Sequence, residues 1–249
     1  MLIINADDWG RDYETTDRTL ECIRLGTVSS VSAMTFMCDS ERAAALAQER
    51  NIDAGLHLNL TTPFSAPGCP AQLRKRQGEL AHYLLRQRFA RGVFNPGLVR
   101  SFAYVVAAQR DEFLRLYGSE PGRIDGHHHM HLCSNVLLGK LLPAGILVRR
   151  NFSFQAEEKS LGNRLYRQVV DWLLARKHNV VDFLFALAPI NPPGRLRRIV
   201  ALAREYAVEV ETHPIVPDEH WFLTGGEVFR WADGCPIAQG FTMGLKWHS

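Results

Sequence analysis

The stretch LIINADDWG at residues 2–10 decides the fold, because an apolar run of strand length ends abruptly in two carboxylates. Residues 2–6 have the length and composition of a buried β-strand, and Asp7 and Asp8 follow them directly. Residues 14–25 then have the apolar spacing of a helix. A buried strand followed by a helix is typical of parallel α/β architecture, in which ligand sites lie at the carboxyl ends of the strands.

The alternation of strands and helices continues along the chain. Further strands are predicted at residues 27–37, 54–61, 123–131 and 206–213, and further helices at residues 41–50, 71–91, 97–117 and 164–177. Residues 63–70 are interpreted as a surface loop and residues 191–194 as a turn, while residues 218–249 show no readable pattern. We therefore predict an α/β fold of the (β/α) barrel-like type, with mostly parallel strands in a single domain over residues 1–249.

The composition indicates a globular protein without special affinity for nucleic acid. Hydrophobic residues make up 46% of the chain and charged residues 22%, which is the balance of a folded soluble domain. The formal net charge of +3 is too small to indicate a nucleic-acid partner. Apolar residues recur at helical spacing around the basic stretches at residues 74–76 and 195–198, so we interpret these stretches as solvated helix faces.

The cysteines and the N-terminus indicate a cytoplasmic location. The five cysteines are scattered and never form a Cys-x-x-Cys pair, so neither a disulfide framework nor a thiolate zinc site is predicted. Residues 1–10 lack the basic start of a signal peptide. The chain also has no window of about 18 apolar residues, so no membrane span is expected. Self-association into a homo-oligomer is left open.

Three later segments place polar side chains on one face of a predicted strand, since side chains in a strand alternate between its two faces. The aligned sets are His57, Asn59 and Thr61; Asp125, His127, His129 and His131; and Glu209, Glu211 and His213. Burying such groups is unfavourable unless they are paired or bind a metal, so a shared cation is a simple explanation. Two imidazoles and a carboxylate suit Zn²⁺, iron or another divalent ion, whereas completion by water oxygens suits Mg²⁺.

Each of these features also has a purely structural interpretation. Adjacent aspartates after a strand often form a turn or cap a helix, and a lone histidine such as His57 is often a hydrogen-bonded core residue. Glu211 and His213 can form a surface pair. The run at residues 127–131 is harder to explain in this way, because it gathers four of the chain's ten histidines within five positions.

Four motifs, in this order, resemble those of the YdjC-like carbohydrate deacetylase family. They are NADDWG at residues 5–10, GLHLNLT at residues 55–61, DGHHHMH at residues 125–131 and ETHP at residues 211–214. The corresponding family patterns are Asn-Ala-Asp-Asp-Phe-Gly, Gly-Leu-His-x-x-Leu-Thr, Asp-Ser-His-His-His-x-His and, with a different spacing, Glu-x-x-x-His-Pro-Gly. The sequence departs from these patterns at Trp9 and Ile215, which stand where the family has Phe and Gly.

The resemblance implies a barrel-like fold of the glycoside hydrolase and deacetylase type, with one divalent ion held by Asp8, His57 and His127. It also implies Asp7 as the general base and His213 as a candidate general acid. For the ion we expect Mg²⁺ first, with Zn²⁺ or another divalent ion as the alternative. The residues expected to bind substrate or to support the ligands are Asn59, Asp125, His129, His131 and Glu211.

The predicted function is a metal-dependent hydrolase that removes the N-acetyl group from an N-acetylated sugar or oligosaccharide, with Asp7 taking the proton from the attacking water. Two other functions are compatible with the same motifs. One is a metal-dependent amidohydrolase acting on a non-sugar amide or ester, and the other is a non-catalytic sugar-binding protein. Release of acetate from an acetamido sugar separates the first function from both alternatives.

Overall fold

The computed structural model describes residues 1–86, 89–154, 160–191 and 193–241. The strands in these ranges are β1 (Leu2–Trp9), β2 (Ser30–Ala33), β3 (Ala54–Leu58), β4 (Arg123–Gly126), β5 (Leu147–Val148), β6 (Phe183–Ala186) and β7 (Val208–Thr212). The helices are α1 (Tyr13–Arg24), α2 (Ser40–Arg50), α3 (Ala71–Arg86), α4 (Val99–Tyr117), α5 (Ser134–Leu138), α6 (Leu161–Ala175), α7 (Gly194–Ala203), α8 (Pro217–Thr224) and α9 (Glu227–Ala232). Short 3-10 helices lie at Pro96–Leu98 and His127–Leu132.

The strands form one seven-stranded sheet in the order β5-β4-β3-β2-β1-β7-β6. The pairs β1 with β7, β3 with β4 and β6 with β7 are parallel. Most strands are followed by a helix in the chain, which is the arrangement that parallel pairing requires. The predicted α/β class with parallel strands is therefore confirmed.

The chain divides into two compact units. The first unit comprises residues 1–7, 17–31 and 147–249, and the second comprises residues 8–16 and 32–146. The boundary falls between two neighbouring aspartates within β1. The single domain expected over residues 1–249 stays a prediction.

The core of the first unit is built around the apolar run that opens the chain. Leu2 and Ile4 in β1 are fully buried, and they lie in register with Val208 and Val210 of β7. Ile3 belongs to a buried apolar cluster that also contains residues from far along the chain, namely Leu147, Val181 and Phe241. A near-continuous apolar strand is what a parallel sheet covered on both faces needs, because neither face of the strand meets water.

In the second unit, α4 packs against α2 and α3, and it buries Phe102, Val105 and Phe113. The same helix supplies Gln109, a fully buried polar side chain. Its Oε1 accepts a hydrogen bond from the backbone N–H of Asn59 at 2.8 Å, and its Nε2 donates to the Asn59 carbonyl at 3.0 Å. Gln109 therefore supplies hydrogen-bond partners to the N–H and carbonyl of Asn59, the residue just beyond the last residue of β3 that pairs with β4.

Two predicted strands are longer than the observed ones. The strand predicted at residues 27–37 is regular only over β2, and Phe36, three residues after the end of β2, has a left-handed φ of 58° that is incompatible with extended structure. The strand predicted at residues 54–61 ends with β3, because Asn59 Oδ1 accepts hydrogen bonds from the N–H groups of Thr61 and Thr62. Hydrogen bonds from a side chain to the backbone of a turn compete with the backbone hydrogen bonds between neighbouring strands.

The later part of the chain contains elements that the sequence pattern did not show. These are α5, β5, β6, α8 and α9; α9 and all of α8 except its first residue lie in the segment from residue 218 onward that showed no readable pattern. The helix predicted at residues 71–91 ends at Arg86, and residues 87 and 88 lie outside the described residues. The turn predicted at residues 191–194 also includes a position outside them, residue 192.

Candidate metal centre

The second unit brings three predicted ligands together, and the first of them is Asp8 near the end of β1. Asp8 has a left-handed φ of 65°, a conformation that aspartate tolerates better than most residues but that still stores strain. Arg11, three residues on, donates from Nη1 to Asp8 Oδ2 at 3.0 Å. The backbone bend and Arg11 together fix the carboxylate, and Oδ1 is the oxygen that faces the imidazoles.

The imidazoles of His57 and His127 lie against Asp8 Oδ1. The oxygen is 3.3 Å from His57 Nε2 and 2.9 Å from His127 Nδ1. One ligand atom from each of the three residues lies within 4.8 Å of the others, so the group can hold a metal ion. All three residues are buried, which makes the cluster costly without a shared cation or proton.

A second carboxylate orients His57. Asp125 Oδ1 lies 2.7 Å from His57 Nδ1, and the two residues are in register across the β3–β4 pair. Because a carboxylate only accepts hydrogen bonds, this contact requires a proton on His57 Nδ1, which leaves Nε2 as the nitrogen that can bind a metal ion. The predicted supporting residue Asp125 thus lies where it can set the tautomer of a ligand.

Asp125 is itself held by two residues that the sequence pattern did not single out. Arg123 Nη1 donates to Asp125 Oδ2 at 3.0 Å and to Ser32 Oγ at 3.1 Å, and Ser32 donates to the same carboxylate oxygen. Arg123 lies so close to Gly55 that a Cβ there would be 2.7 Å from the guanidinium carbon. Only glycine leaves room for this buried arginine, so Gly55 is part of the support of the site.

The predicted strand at residues 123–131 is wrong beyond Gly126. A 3-10 helix begins at His127, and His128 and His129 both have a φ of 55°. Two successive left-handed residues abolish the two-residue alternation on which the predicted alignment of Asp125 with three histidines depended.

The histidines of this turn consequently lie in different environments. His127 faces Asp8, whereas His128 is exposed and its Nδ1 lies 3.0 Å from Thr61 Oγ1. His129 is half-buried, and its carbonyl accepts a hydrogen bond from Arg91. His131 is fully buried against Gly126, where a Cβ would lie 3.0 Å from the imidazole. Of this run, only His127 belongs to the cluster around Asp8.

Asn59 was expected to bind substrate or to support the ligands, which stays a prediction, and its hydrogen bonds lie in the turn after β3. Its side chain is fully buried, with Oδ1 accepting from Thr61 N and Thr62 N and Nδ2 donating to the Thr62 carbonyl at 2.7 Å. Each polar atom of Asn59 therefore shapes the turn after β3. This turn places Thr61 beside His128.

The electrostatics of the cluster favour an ionised Asp8. Burial raises the pKa of this carboxyl, but the contacts with His127 and His57 and their charges outweigh burial and hold the pKa well below its usual value. Oδ1 is nonetheless buried and makes no hydrogen bond within the described part of the chain. A buried, ionised oxygen between two imidazole nitrogens is a donor set that fits a divalent cation.

The first unit contains a second cluster of charged side chains, centred on Arg149. This residue is 2% exposed. Its Nη1 and Nη2 each lie 2.7 Å from one oxygen of Asp7, forming a two-pronged ion pair. Its Nε lies 2.7 Å from Glu209, and Nη1 also lies 3.1 Å from Glu211. Sequence analysis missed Arg149 because it lies in no motif.

Asp7 is also held by its own strand, since Asn5 Nδ2 donates to Asp7 Oδ1 at 2.9 Å. Asn5 is fixed in turn by Ser30, whose hydroxyl donates to Asn5 Oδ1 at 2.8 Å. Each oxygen of Asp7 thus has a defined partner. The candidate general base is therefore a carboxylate of fixed orientation.

His213, the candidate general acid, follows β7 directly. One ligand atom each from His213, Asp7 and Glu211 lie within 4.8 Å of one another. The buried carboxylate of Glu219 accepts hydrogen bonds from Thr212 Oγ1 and from His213 N, and burial raises the pKa of Glu219. These contacts fix the backbone from which the His213 side chain extends.

Comparison with known proteins places this arrangement in a family. The model of the family described as YdjC-like protein matches residues 1–232. The chain belongs to this family. The predicted family is thereby confirmed, while the roles of individual site residues stay predictions.

Two proteins with similar sequences are named chitooligosaccharide deacetylase. A chitooligosaccharide deacetylase of Proteus mirabilis is 30% identical over 238 residues, which cover 90% of this chain and 85% of the relative. A chitooligosaccharide deacetylase of Yersinia pestis is 32% identical over 137 residues, which cover 55% of this chain and 52% of the relative.

A solved structure shares the fold of this YdjC-like chain. It is a proposed cellobiose-phosphate cleavage protein from Enterococcus faecalis, with a TM-score of 0.63, 19% sequence identity and coverage of 95% of both chains. At this level of identity the likeness concerns the fold alone, and it confirms the predicted (β/α) barrel-like type. No helix within the described ranges is long and apolar enough to span a membrane.

Proposed function

We propose that this YdjC-like chain is a metal-dependent hydrolase that removes the N-acetyl group from an N-acetylated sugar or oligosaccharide. The similar proteins named chitooligosaccharide deacetylase support the enzyme class and the acetamido-sugar substrate. The observation that carries the proposal is the buried group of Asp8, His57 and His127, whose ligand atoms lie within 4.8 Å of one another. A non-catalytic sugar-binding protein can also hold a metal, but it has no need for Asp7, the further carboxylate that precedes Asp8 in the chain.

Asp8 Oδ1, His57 Nε2 and His127 Nδ1 are the atoms proposed to hold the ion. A divalent ion bound there supplies Lewis-acid polarisation of the acetamide carbonyl and lowers the pKa of a water molecule. Mg²⁺ is the first candidate and Zn²⁺ the second. Three protein ligands leave room for the several waters that Mg²⁺ keeps, whereas two imidazoles among the three suit Zn²⁺.

The remaining chemistry falls to proton-transfer groups of the chain. Asp7 is proposed to accept the proton of the water whose oxygen forms the new bond to the acetyl carbon. His213 is proposed to donate a proton to the amine nitrogen as the carbon–nitrogen bond breaks, which yields acetate and a free amino sugar. Both roles rest on the family motifs and on the position of Asp7 next to Asp8 in the chain.

The contacts of Asp7 support its assignment as a base that holds one orientation. Arg149 binds both of its oxygens and Asn5 binds one of them. Oδ1 accepts from both Arg149 and Asn5, so Oδ2, which meets Arg149 alone among these contacts, is the oxygen proposed to take the proton. Fixed orientation is what general-base catalysis requires, because the base must lie within hydrogen-bond reach of the water.

A cytoplasmic location is part of the proposal. All five cysteines, each among the described residues, are free thiols. Burial raises the pKa of the Cys22 thiol to about 12 and that of the Cys133 thiol to about 11, so both are protonated and unreactive at neutral pH. Free thiols suit a reducing compartment.

Acetate release from N-acetylglucosamine oligomers tests the proposal. The enzyme is assayed as purified, after chelation, and after return of Mg²⁺ or Zn²⁺. We expect activity to disappear on chelation and to return with one of the two ions, which identifies the metal. Acetate from non-sugar acetamides or esters alone would assign the chain to a different class of amidohydrolase. Metal binding without any hydrolysis would contradict the proposal.

The Asp7→Asn variant tests the base. We expect it to retain the metal and to lose about 100- to 10,000-fold in kcat, the usual contribution of a general base. Asp111→Asn is the control, because Asp111 is an exposed aspartate on α4. Full turnover by Asp7→Asn would exclude Asp7 as the base and leave the metal site untouched.

A further inference from the structure

The helix α6 in the first unit exposes an unusual number of large apolar side chains. The exposed fractions are 80% for Leu161, 62% for Leu165, 49% for Val169 and 57% for Trp172. These residues are spaced by four, four and three positions, so they form a stripe along one face of the helix. Tyr166 and Leu173, at 46% and 41%, widen the stripe on one side. We call these six residues the α6 stripe.

The buried side of α6 is much smaller than its exposed apolar side. Only Val170 and Leu174 of this helix are buried. Single exposed apolar residues are normal on a protein surface, whereas a contiguous stripe of this kind marks an interaction site. The α6 stripe therefore needs an apolar partner.

The charges around the α6 stripe are basic. Residues 155–178 contain five basic residues, of which four lie in residues 160–178, against three acids, so five positive charges less three negative charges leave +2. Asp171, the one acid within the helix, is already bound, because Arg150 Nη2 lies 2.9 Å from Asp171 Oδ2. The partner that suits this helix therefore offers an apolar interior to the stripe and negative charges at its surface to the basic residues.

An aromatic and a basic residue also meet within the stripe. The guanidinium carbon of Arg176 lies 4.7 Å from the centre of the Trp172 ring. Tryptophan beside arginine on an amphipathic helix is typical of helices that lie in the interface of a bilayer, where the ring reaches the acyl boundary and the cation remains at the headgroups.

We infer that α6 is a membrane-surface helix that seats this protein on a bilayer containing anionic lipids. The apolar stripe enters the headgroup boundary, and Arg176 and Lys177 meet the lipid phosphates. A second copy of the chain is a poorer partner. Pairing α6 with itself about a two-fold axis brings its basic residues against each other, and the one acid of the helix is engaged by Arg150.

Co-sedimentation with vesicles tests the inference on the full-length protein. We expect binding to vesicles of phosphatidylcholine mixed with phosphatidylglycerol, weaker binding to phosphatidylcholine alone, and loss of binding as salt is raised. The double variant Leu165→Ser, Trp172→Ser should bind about ten-fold more weakly or worse, because it removes two side chains from the apolar contact. Both residues are exposed, so the unfolding midpoint of the variant should match that of the wild type.

The matched control is Trp221→Ser. Trp221 is 76% exposed on α8, but Asp218 and Glu219 in the first turn of that helix give it no basic character. Its vesicle binding should equal that of the wild type. Equal binding by the double variant, no binding of the wild type to anionic vesicles, or a dimer in sedimentation that the double variant converts to monomer would each overturn the inference.

Discussion

Two neighbouring aspartates of β1 are stabilised in opposite ways. Asp7 is paired with the buried guanidinium of Arg149, which binds both of its oxygens. Asp8 meets the half-exposed Arg11 with one oxygen, while its other oxygen faces two imidazoles and makes no hydrogen bond within the described residues. Both oxygens of Asp7 are paired with one buried cation of the protein, whereas one oxygen of Asp8 belongs to a group that could hold a metal ion. This difference separates a candidate base from a candidate ligand.

The largest effect is expected from removing a ligand of the Asp8 cluster. His57→Ala should bind no metal and lose more than about 1,000-fold in activity, because Lewis-acid catalysis contributes several kcal/mol to the rate. His220→Ala is the control, since this histidine pairs with Glu21 at the surface of the first unit. Metal content per chain and acetate release measure both variants. Normal metal content in His57→Ala would show that His57 is not a ligand.

Removing Arg149, the cation that pairs with Asp7, should lower the stability of the fold and leave the metal content unchanged. Arg149→Ala leaves three buried carboxylates without their shared cation, and we expect the free energy of unfolding to fall by about 3–5 kcal/mol. Arg204→Ala removes an arginine whose side chain is 54% exposed and paired with Asp233, so it should lower stability by less than about 1 kcal/mol. Urea denaturation compares the two. Equal losses would mean that the Arg149 cluster adds nothing beyond a surface pair.

A smaller effect is expected one contact away from the cluster. Asp125→Asn weakens the acceptor that fixes the His57 tautomer, so metal affinity should fall about 10- to 100-fold. Asp39→Asn is the matched control, because Asp39 is a buried aspartate of the same unit that is paired with Arg42 at 2.7 Å. Titration calorimetry on the metal-free protein measures both affinities. An unchanged affinity in Asp125→Asn would limit Asp125 to a structural role.

The smallest effects concern two glycines. In Gly55→Ala the new Cβ would meet the Arg123 guanidinium at 2.7 Å, and overpacking of this kind costs about 1–3 kcal/mol of stability. Gly78 lies within α3 with open space around it, so Gly78→Ala should stabilise the protein by about 0.5–1 kcal/mol through helix propensity. Thermal unfolding should move in opposite directions for the two variants. A stabilised Gly55→Ala protein would show that Arg123 moves freely.

The sequence predicted the elements whose patterns are local and strong. The strand around Ile3, the helices α1, α2 and α4 and the strand around Val210 lie close to their predicted positions. Each has an unbroken apolar run or a clear helical spacing, and these patterns arise from burial of one face. Prediction failed at residues 123–131, because nothing local shows that His128 and His129 adopt left-handed backbone conformations.

The candidate ligands could be predicted, because their residue types and the order of their motifs can be read directly from the sequence. Their supports could not be named in the same way. Arg123, Arg149 and Ser32 are single polar residues outside any motif, and their importance depends on partners up to 142 positions away, as in the pair of Arg149 with Asp7.

By itself, the sequence determined the α/β class, the family and the set of carboxylates and imidazoles available for chemistry, because hydrophobic period and residue type are local properties. Only the tertiary structure decided that Asp8 Oδ1 faces two imidazoles and that both oxygens of Asp7 are paired with Arg149. That choice depends on side chains from distant segments meeting in a buried space, where desolvation forces every charge to have a partner.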